Sequence, residues 1–106
     1  MSYKVKSIPE FEKELKKLVK KYPSLKDDFF QLVQDLKNKP DLGVPLYKNC
    51  FKIRISIKSK GKSGGGRVIT HFAFSDDTVY LLSIYDKSKQ ESITDTYIKS
   101  LLDFLS

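Results

Sequence analysis

Lys52, Arg54 and Lys58 stand at alternate positions of the segment FKIRISIK, and Arg67 opens the next apolar segment, RVITHFAF. Phe51, Ile53, Ile55 and Ile57 take the other positions, so an extended strand would carry its apolar residues on one face and its cations on the other. Arginine offers a planar, permanently charged fork of donors, and lysine a compact point charge; both suit phosphate oxygens. A solvated sheet face has the same pattern as a surface that grips a polyanion. The residues alone leave both open.

The neighbouring residues narrow the chemistry. His71 is the sole histidine and would be the default proton carrier near neutrality. If Val68, Thr70, Phe72 and Phe74 point to the core, Arg67 and His71 share the cationic face. Residues 58–66, KSKGKSGGG, contain glycines that let backbone amides, Lys60 and Lys62 approach a ligand. They lead into a strand and lack the spacing of a Walker loop. Phe11, Phe29, Phe51, Phe72, Phe74 and Tyr80 fall at core positions, whereas Tyr85, at the end of TVYLLSIY beside DKSK, could stack on a base. Cys50 is the only cysteine, which excludes an internal disulfide and favours a small apolar role at a strand start. No cluster of Asp, Glu, His or Cys has metal-ligand spacing, so neither a metal nor another cofactor is expected.

The chain has 106 residues and 40% hydrophobic content, enough for one core, and is read as a single domain, 1–106. Its net charge of +7 is uneven: residues 1–40 carry +4, residues 41–74 carry +6 and residues 75–106 carry −3. A localised polyanion site fits that asymmetry. No apolar run is long enough to span a bilayer, and the N-terminus lacks the apolar stretch of a signal peptide, so a soluble, cytoplasmic protein with no membrane partner is expected.

The cations need a scaffold, and the hydrophobic periods supply one. YKVKS, residues 3–7, reads as a strand, with Ser7 and Glu10 as a capping box for a helix over 8–22. Ile8, Phe11, Leu15, Leu18, Val19 and Tyr22 form its apolar stripe. After Pro23, Ser24 can cap a second helix carrying Leu25, Phe29, Leu32, Val33 and Leu36, which ends at NKPDLG. Three antiparallel strands follow, the last two joined by a tight turn at Ser75, Asp76 and Asp77. Ser92 and Asp95 can cap a final helix whose stripe is Tyr97, Ile98, Leu101, Leu102 and Leu105. The expected fold is α+β, in the order β-α-α-β-β-β-α, with an antiparallel sheet packed on an N-terminal helical hairpin.

This order, with YKNCFKIRISIKSKGKSGGGRVITHF and TVYLLSIYDKSKQESITDTYI, resembles the RelE/HigB branch of the RelE/ParE toxins of bacterial type II toxin–antitoxin systems. The resemblance covers nearly the whole chain. It implies a ribosome-dependent endoribonuclease, an mRNA interferase that cuts messenger RNA in the ribosomal A site without metal. It also implies a cognate antitoxin, of helix-turn-helix type, with operator DNA bound only through the complex. On the family's motifs, the basic pair of the K-I-K/R strand matches Lys52 and Arg54, and the arginine opening the next strand matches Arg67. The basic residue after the last strand matches Lys87, with Lys89 beside it. These four, Lys52, Arg54, Arg67 and Lys87, are the catalytic candidates; Lys58, Lys60, Lys62, His71, Tyr85 and Lys89 are candidates for RNA binding. The family's C-terminal tyrosine falls near Ile93, and neither Tyr85 nor Tyr97 aligns with it. In such a site the ribose 2′-OH attacks the adjacent phosphorus, and fixed cations stabilise the charge on the phosphorane oxygens. Lys52 is either the base, which requires its neutral form, or a positioning group. Two other functions share the fold or the charge: a ParE-like inhibitor of DNA gyrase, and an RNA- or ribosome-binding protein without catalysis.

Overall fold

The strand that carries the cations, β3 (Cys50–Ile55), lies second from one edge of a five-stranded sheet, in the order β1-β5-β4-β3-β2. The computed structural model describes residues 3–57, 65–88 and 93–105. Lys58, Lys60, Lys62 and Lys89 lie outside the described residues, as does Ser92. The remaining strands are β1 (Lys4–Ser7), β2 (Val44–Pro45), β4 (Gly66–Ala73) and β5 (Thr78–Asp86). The three long strands pair antiparallel as expected. The edges differ: β1 joins β5 in parallel, and the two-residue β2, too short for any period to reveal, pairs with β3.

Helices α1 (Pro9–Lys21) and α2 (Leu25–Asn38) follow β1 and meet through the rings of Phe11 and Phe29, 5.7 Å apart. The apolar stripes are where the periodicity puts them, with Phe11, Leu25, Leu32 and Leu36 buried and Leu15, Leu18 and Val19 packed against the core. The caps differ. Pro9, whose missing N–H suits the first helical position, starts α1 with Ile8 as its N-cap. Ser7 is thereby one residue too early for a capping box, and its hydroxyl donates to Glu12 Oε2 instead, at 2.7 Å. Ser24 makes no side-chain cap; the carbonyls of Tyr22, Pro23 and Ser24 accept the first N–H groups of α2 as a continuous turn. The C-terminal helix α3 (Asp95–Leu102) is capped by Thr94, whose hydroxyl accepts from the Tyr97 N–H at 3.1 Å.

Register sorts the residues onto two faces. Opposed residues in an antiparallel pair point to the same side, so Ile53, Ile55, Val68, Phe72, Val79 and Ile84 share the core face. The Tyr3 ring meets Phe72 edge-on at 5.5 Å. Phe74, expected in the core, is 63% exposed: it begins the 3₁₀ turn Phe74–Asp76 and meets Phe72 at 4.4 Å between ring centres. Asp77 closes that turn in the left-handed region, at φ 50°, which aspartate tolerates.

Two glycines are required by close approach. Gly43 has φ 108°, and a Cβ there would fall 2.6 Å from the Lys52 carbonyl oxygen. At Gly66 a Cβ would meet Ile57 Cδ1 at 2.8 Å, the Tyr85 carbonyl oxygen at 3.1 Å and Ile55 Cγ2 at 3.2 Å. Gly66 is therefore a packing residue, whatever the rest of the glycine segment does.

Candidate nucleic-acid interface

Arg54 is directly opposite Arg67, and Arg67 is directly opposite Tyr85, so β3, β4 and β5 set these three side chains in one row across the sheet. The next row on the same face is Lys52, Ile69 and Ser83. Neighbouring strands lie about 4.8 Å apart, and residues two apart along a strand are about 6.8 Å apart, so the backbones of the three cations lie within about 8 Å of one another.

A bulge brings Tyr85 into this row. The pairing jumps from Ile69 with Ser83 to Thr70 with Leu81, leaving Leu82 as an extra residue of β5. The phase of β5 changes there, so Tyr80 and Tyr85, on opposite faces of a regular strand, both share the side of Arg67 and His71. Strict alternation could not have placed them together.

The face differs from the expected solvated one. Arg54 is exposed and Lys52 half-buried, but Arg67 is only 4% exposed and Tyr85 5%, and Ile69, at the centre of the second row, is fully buried. Strands β4 and β5 are interior strands covered on both sides, whereas the alternation of β3 reflects its place near the edge. Tyr85 is consequently no open platform for a base. Arg67 Nη1 donates to the Gly66 carbonyl oxygen at 2.9 Å. Burial raises the Tyr85 pKa, and the positive charge of Arg67 opposes part of that rise. The Tyr85 hydroxyl is buried without a hydrogen-bond partner among the described residues.

Lys87, exposed just beyond β5, donates its N–H to the Gly65 carbonyl oxygen at 3.0 Å and so lies at the arginine end of the sheet. His71 lies at the other end, opposite Cys50. Its Nδ1 is 3.0 Å from the Lys48 carbonyl oxygen, an acceptor only, so Nδ1 carries the proton. That bond ties the sheet to Lys48 and Asn49, both left-handed at φ 53° and 57°. Burial lowers the His71 pKa, against the pull of the backbone carbonyls, leaving the ring neutral at physiological pH. Cys50 Sγ is 3.8 Å from the same ring nitrogen, and burial pushes the thiol up to about 11. This pair braces a turn.

A second polar cluster joins α1, β5 and α3. Glu14 Oε1 accepts from Ser83 Oγ at 3.0 Å and from the Ile84 N–H at 3.4 Å, covering the edge of β5 that β1 is too short to reach. Burial raises the Glu14 pKa, more than these two bonds lower it. Tyr97 faces the same cluster; burial, then Glu14 and Glu10, raise its pKa. Tyr97 thus joins α3 to the Glu14–Ser83 pair, one row from the arginines.

Between α2 and the outer part of β3 runs a groove of about 460 Å³, lined by Leu32, Leu42, Val44, Ile53 and Ile55 with Asp28 and Asp35 beside them. Lys52 and Arg54 line the same groove, so it adjoins the arginine row at β3 and combines two carboxylates with two cations.

No protein-family model matches the sequence. Solved structures do. The isolated Escherichia coli RelE toxin superimposes with a TM-score of 0.60 over 96% of this chain and 98% of that one, at 14% identity. An arginine-to-alanine double mutant of the same toxin in the free state gives 0.61 over 86% and 90%, at 17% identity. The RelBE2 toxin–antitoxin complex of Mycobacterium tuberculosis gives 0.57 over 81% and 92%, at 19% identity. Identity this low speaks for architecture and not for individual residues, and on that basis the chain has the fold of the RelE-type toxins.

Proposed function

We propose that this chain is the toxin of a type II toxin–antitoxin pair and acts as an endoribonuclease on messenger RNA in the ribosomal A site. The observation that carries the reading is the in-register Arg54–Arg67 pair with Lys52 one row away. The two guanidinium groups and the Lys52 ammonium gather donors and positive charge on one stretch of the sheet, which suits the non-bridging oxygens of a phosphodiester. The RelE-type fold and the central charge excess support the same reading.

In the proposed reaction the 2′-oxygen forms a bond to phosphorus and the bond from phosphorus to the 5′-oxygen breaks. A 2′,3′-cyclic phosphate and a 5′-hydroxyl end result. The proton leaves the 2′-OH and a proton reaches the 5′-oxygen. Arg54 and Arg67 hold the non-bridging oxygens as negative charge builds on them, and Lys52 orients the 2′-OH or takes its proton. Lys87 adds a cation at the same end of the sheet. His71 lies opposite Cys50 at the other end of the sheet from the arginine row, and Cys50 is a neutral thiol, so neither serves as an acid–base partner there. A site with few proton carriers depends on alignment of the RNA by its surroundings, which fits cleavage on the ribosome better than cleavage of free RNA.

The partners under this reading are the ribosome, messenger RNA and an antitoxin, in the cytoplasm. Induced expression tests it: protein synthesis should stop within minutes while DNA supercoiling by gyrase is unaffected. Arrested supercoiling with intact messenger RNA would instead identify a gyrase inhibitor, and protection of RNA without cutting would identify a binding protein.

A further inference from the structure

We propose that Glu14 is a positioning residue for the candidate site: its carboxylate holds the bulge in β5 at Leu82 and so fixes where Tyr85 and Lys87 stand relative to Arg67 and Arg54. The proposal deepens the nuclease reading and rests on it for the reaction whose rate is measured.

Two registers are open to β4 and β5. From Ala73 opposite Thr78 to Thr70 opposite Leu81 the pairing is regular, and the extra residue Leu82 then shifts it by one. Without that shift Ile69 would stand opposite Leu82, Val68 opposite Ser83 and Arg67 opposite Ile84. Tyr85 would pair with Gly66 on the core face, and the Lys87 N–H would leave the Gly65 carbonyl oxygen. A bulge interrupts the ladder, and the backbone groups it turns aside need other partners.

Glu14 is that partner. β1 ends at Ser7 opposite Leu81, and Ile8 donates its N–H to the Leu81 carbonyl oxygen. Among the described residues no strand lies beside the outer edge of β5 beyond this point. The chain turns into α1 there, and the second turn of the helix brings Glu14 back over the edge. Its Oε1 accepts from Ser83 Oγ at 3.0 Å and from the Ile84 N–H at 3.4 Å, the two residues that follow the extra one. Leu81 and Ile84 are three apart and would present their backbone groups to opposite edges of a regular strand. Here both reach the outer edge, so the bond to Ile84 exists only in the bulged register. The Ser83 bond has the same dependence, because in the regular register Ser83 would turn to the core face beside Val68. Ser83 is 1% exposed, and its hydroxyl would there be buried away from its charged acceptor. Lys52 and Arg54 lie on β3 and do not depend on these bonds. Capture of RNA by that strand is therefore separable from alignment by the end of β5.

The test compares Glu14→Ala, Glu14→Gln and Ser83→Ala in the full chain, by amide hydrogen exchange at Ile84 and by kcat and KM for messenger RNA cleavage on programmed ribosomes. Glu14→Ala should free the Ile84 N–H, with exchange roughly ten-fold faster than in wild type or more. Its kcat should fall by roughly ten-fold or more with KM within about two-fold, since a misplacement of about 1 Å is enough for such a loss. Glu14→Gln should stay within about three-fold of wild type in both readouts, because its amide oxygen accepts the same two bonds. Ser83→Ala removes one bond and should fall between the two; it carries the test where Glu14→Ala does not fold, and wild-type kcat in it would then overturn the proposal. Wild-type kcat in folded Glu14→Ala, or unchanged Ile84 exchange, would overturn it as well. So would a Glu14→Gln as slow as Glu14→Ala, because the charge and not the bonds would then be what matters. Failure of the nuclease reading has a different signature: wild type cuts no messenger RNA. Faster Ile84 exchange in Glu14→Ala, reversed in Glu14→Gln, would still establish the hold on the bulge, and unchanged exchange would overturn it.

Discussion

Substituting Gly66 by alanine tests the junction on which the arginine row depends. A Cβ at this position would lie 2.8 Å from Ile57 Cδ1, 3.1 Å from the Tyr85 carbonyl oxygen and 3.2 Å from Ile55 Cγ2. Side chains essentially never sit at the first of these distances, and the second is to backbone in the central ladder. Ile57 is fully buried, so its terminal methyl has little room to retreat. Overpacking of this kind costs about 1–3 kcal/mol. For 106 residues the unfolding entropy is about 0.22 kcal/mol/K, so the melting temperature should fall by roughly 5–13 °C. Thermal unfolding followed by circular dichroism measures it. Ile57→Val removes the offending Cδ1 and provides the internal check. Alone it should destabilise by about 0.5–1.5 kcal/mol, but the double variant should be more stable than the sum of the two by about 0.5 kcal/mol or more. Gly66→Ala should also slow RNA cleavage, because relief of the clash moves the Tyr85 backbone beside Arg67. An unchanged melting temperature would refute the packing argument and return Gly66 to the ligand-binding segment before it.

Arg54→Gln should leave the fold intact with a melting temperature within about 2 °C of wild type, since a substitution at an exposed position is usually worth no more than about 0.5 kcal/mol. Cleavage should nevertheless drop by about 10²-fold, the loss seen when one preorganised donor is removed; a destabilised but fully active variant would contradict both halves. Two groups should tilt stability against pH in opposite directions. His71 has a folded pKa below its unfolded value, so the unfolded chain takes the proton first, and stability present above about pH 6.5 is lost as pH falls. Glu14 has a folded pKa above its unfolded value, so the folded chain takes the proton first and acidification from neutral pH adds stability. Melting temperatures between pH 4 and 8, for wild type, His71→Asn and Glu14→Gln, should show each variant losing its own slope. Cys50, buried and with a thiol pushed up to about 11, should resist alkylation at pH 8 in the folded protein and react once it is unfolded; rapid native labelling would show that the strand start opens.

Much of the architecture was legible because its elements have one buried face. The stripes on α1 and α2 and the alternation of β3 are direct records of a half-covered helix or strand, and they placed Phe11, Leu32, Ile53 and Ile55 correctly. Lys52, Arg54 and Arg67 were found on a common face for the same reason, and that face is where the register puts them. The interior strands carry no such record. Covered on both sides, β4 and β5 hide the burial of Arg67 and Tyr85, and the bulge at Leu82 breaks the phase that would have linked Tyr85 to Arg67. The caps at Ser7 and Ser24 failed for a local reason: a proline or a continuous turn satisfied the first N–H groups without a side chain. Phe74 was lost to the turn, where a 3₁₀ step overrode the strand's alternation. That Tyr85 stands beside Arg67 needed the register.

The central claim is that the row of Arg54 and Arg67, with Lys52, cuts messenger RNA on the ribosome. The most direct measurement maps messenger RNA 5′ ends in a translation reaction stalled on a defined codon, with wild type, Arg54→Gln and Arg67→Ala in parallel and folding verified for each. The account predicts new 5′-hydroxyl ends inside the A-site codon with wild type, strongly reduced with Arg54→Gln and absent with Arg67→Ala. Intact messenger RNA with wild type, or equal cutting by all three proteins, would contradict it.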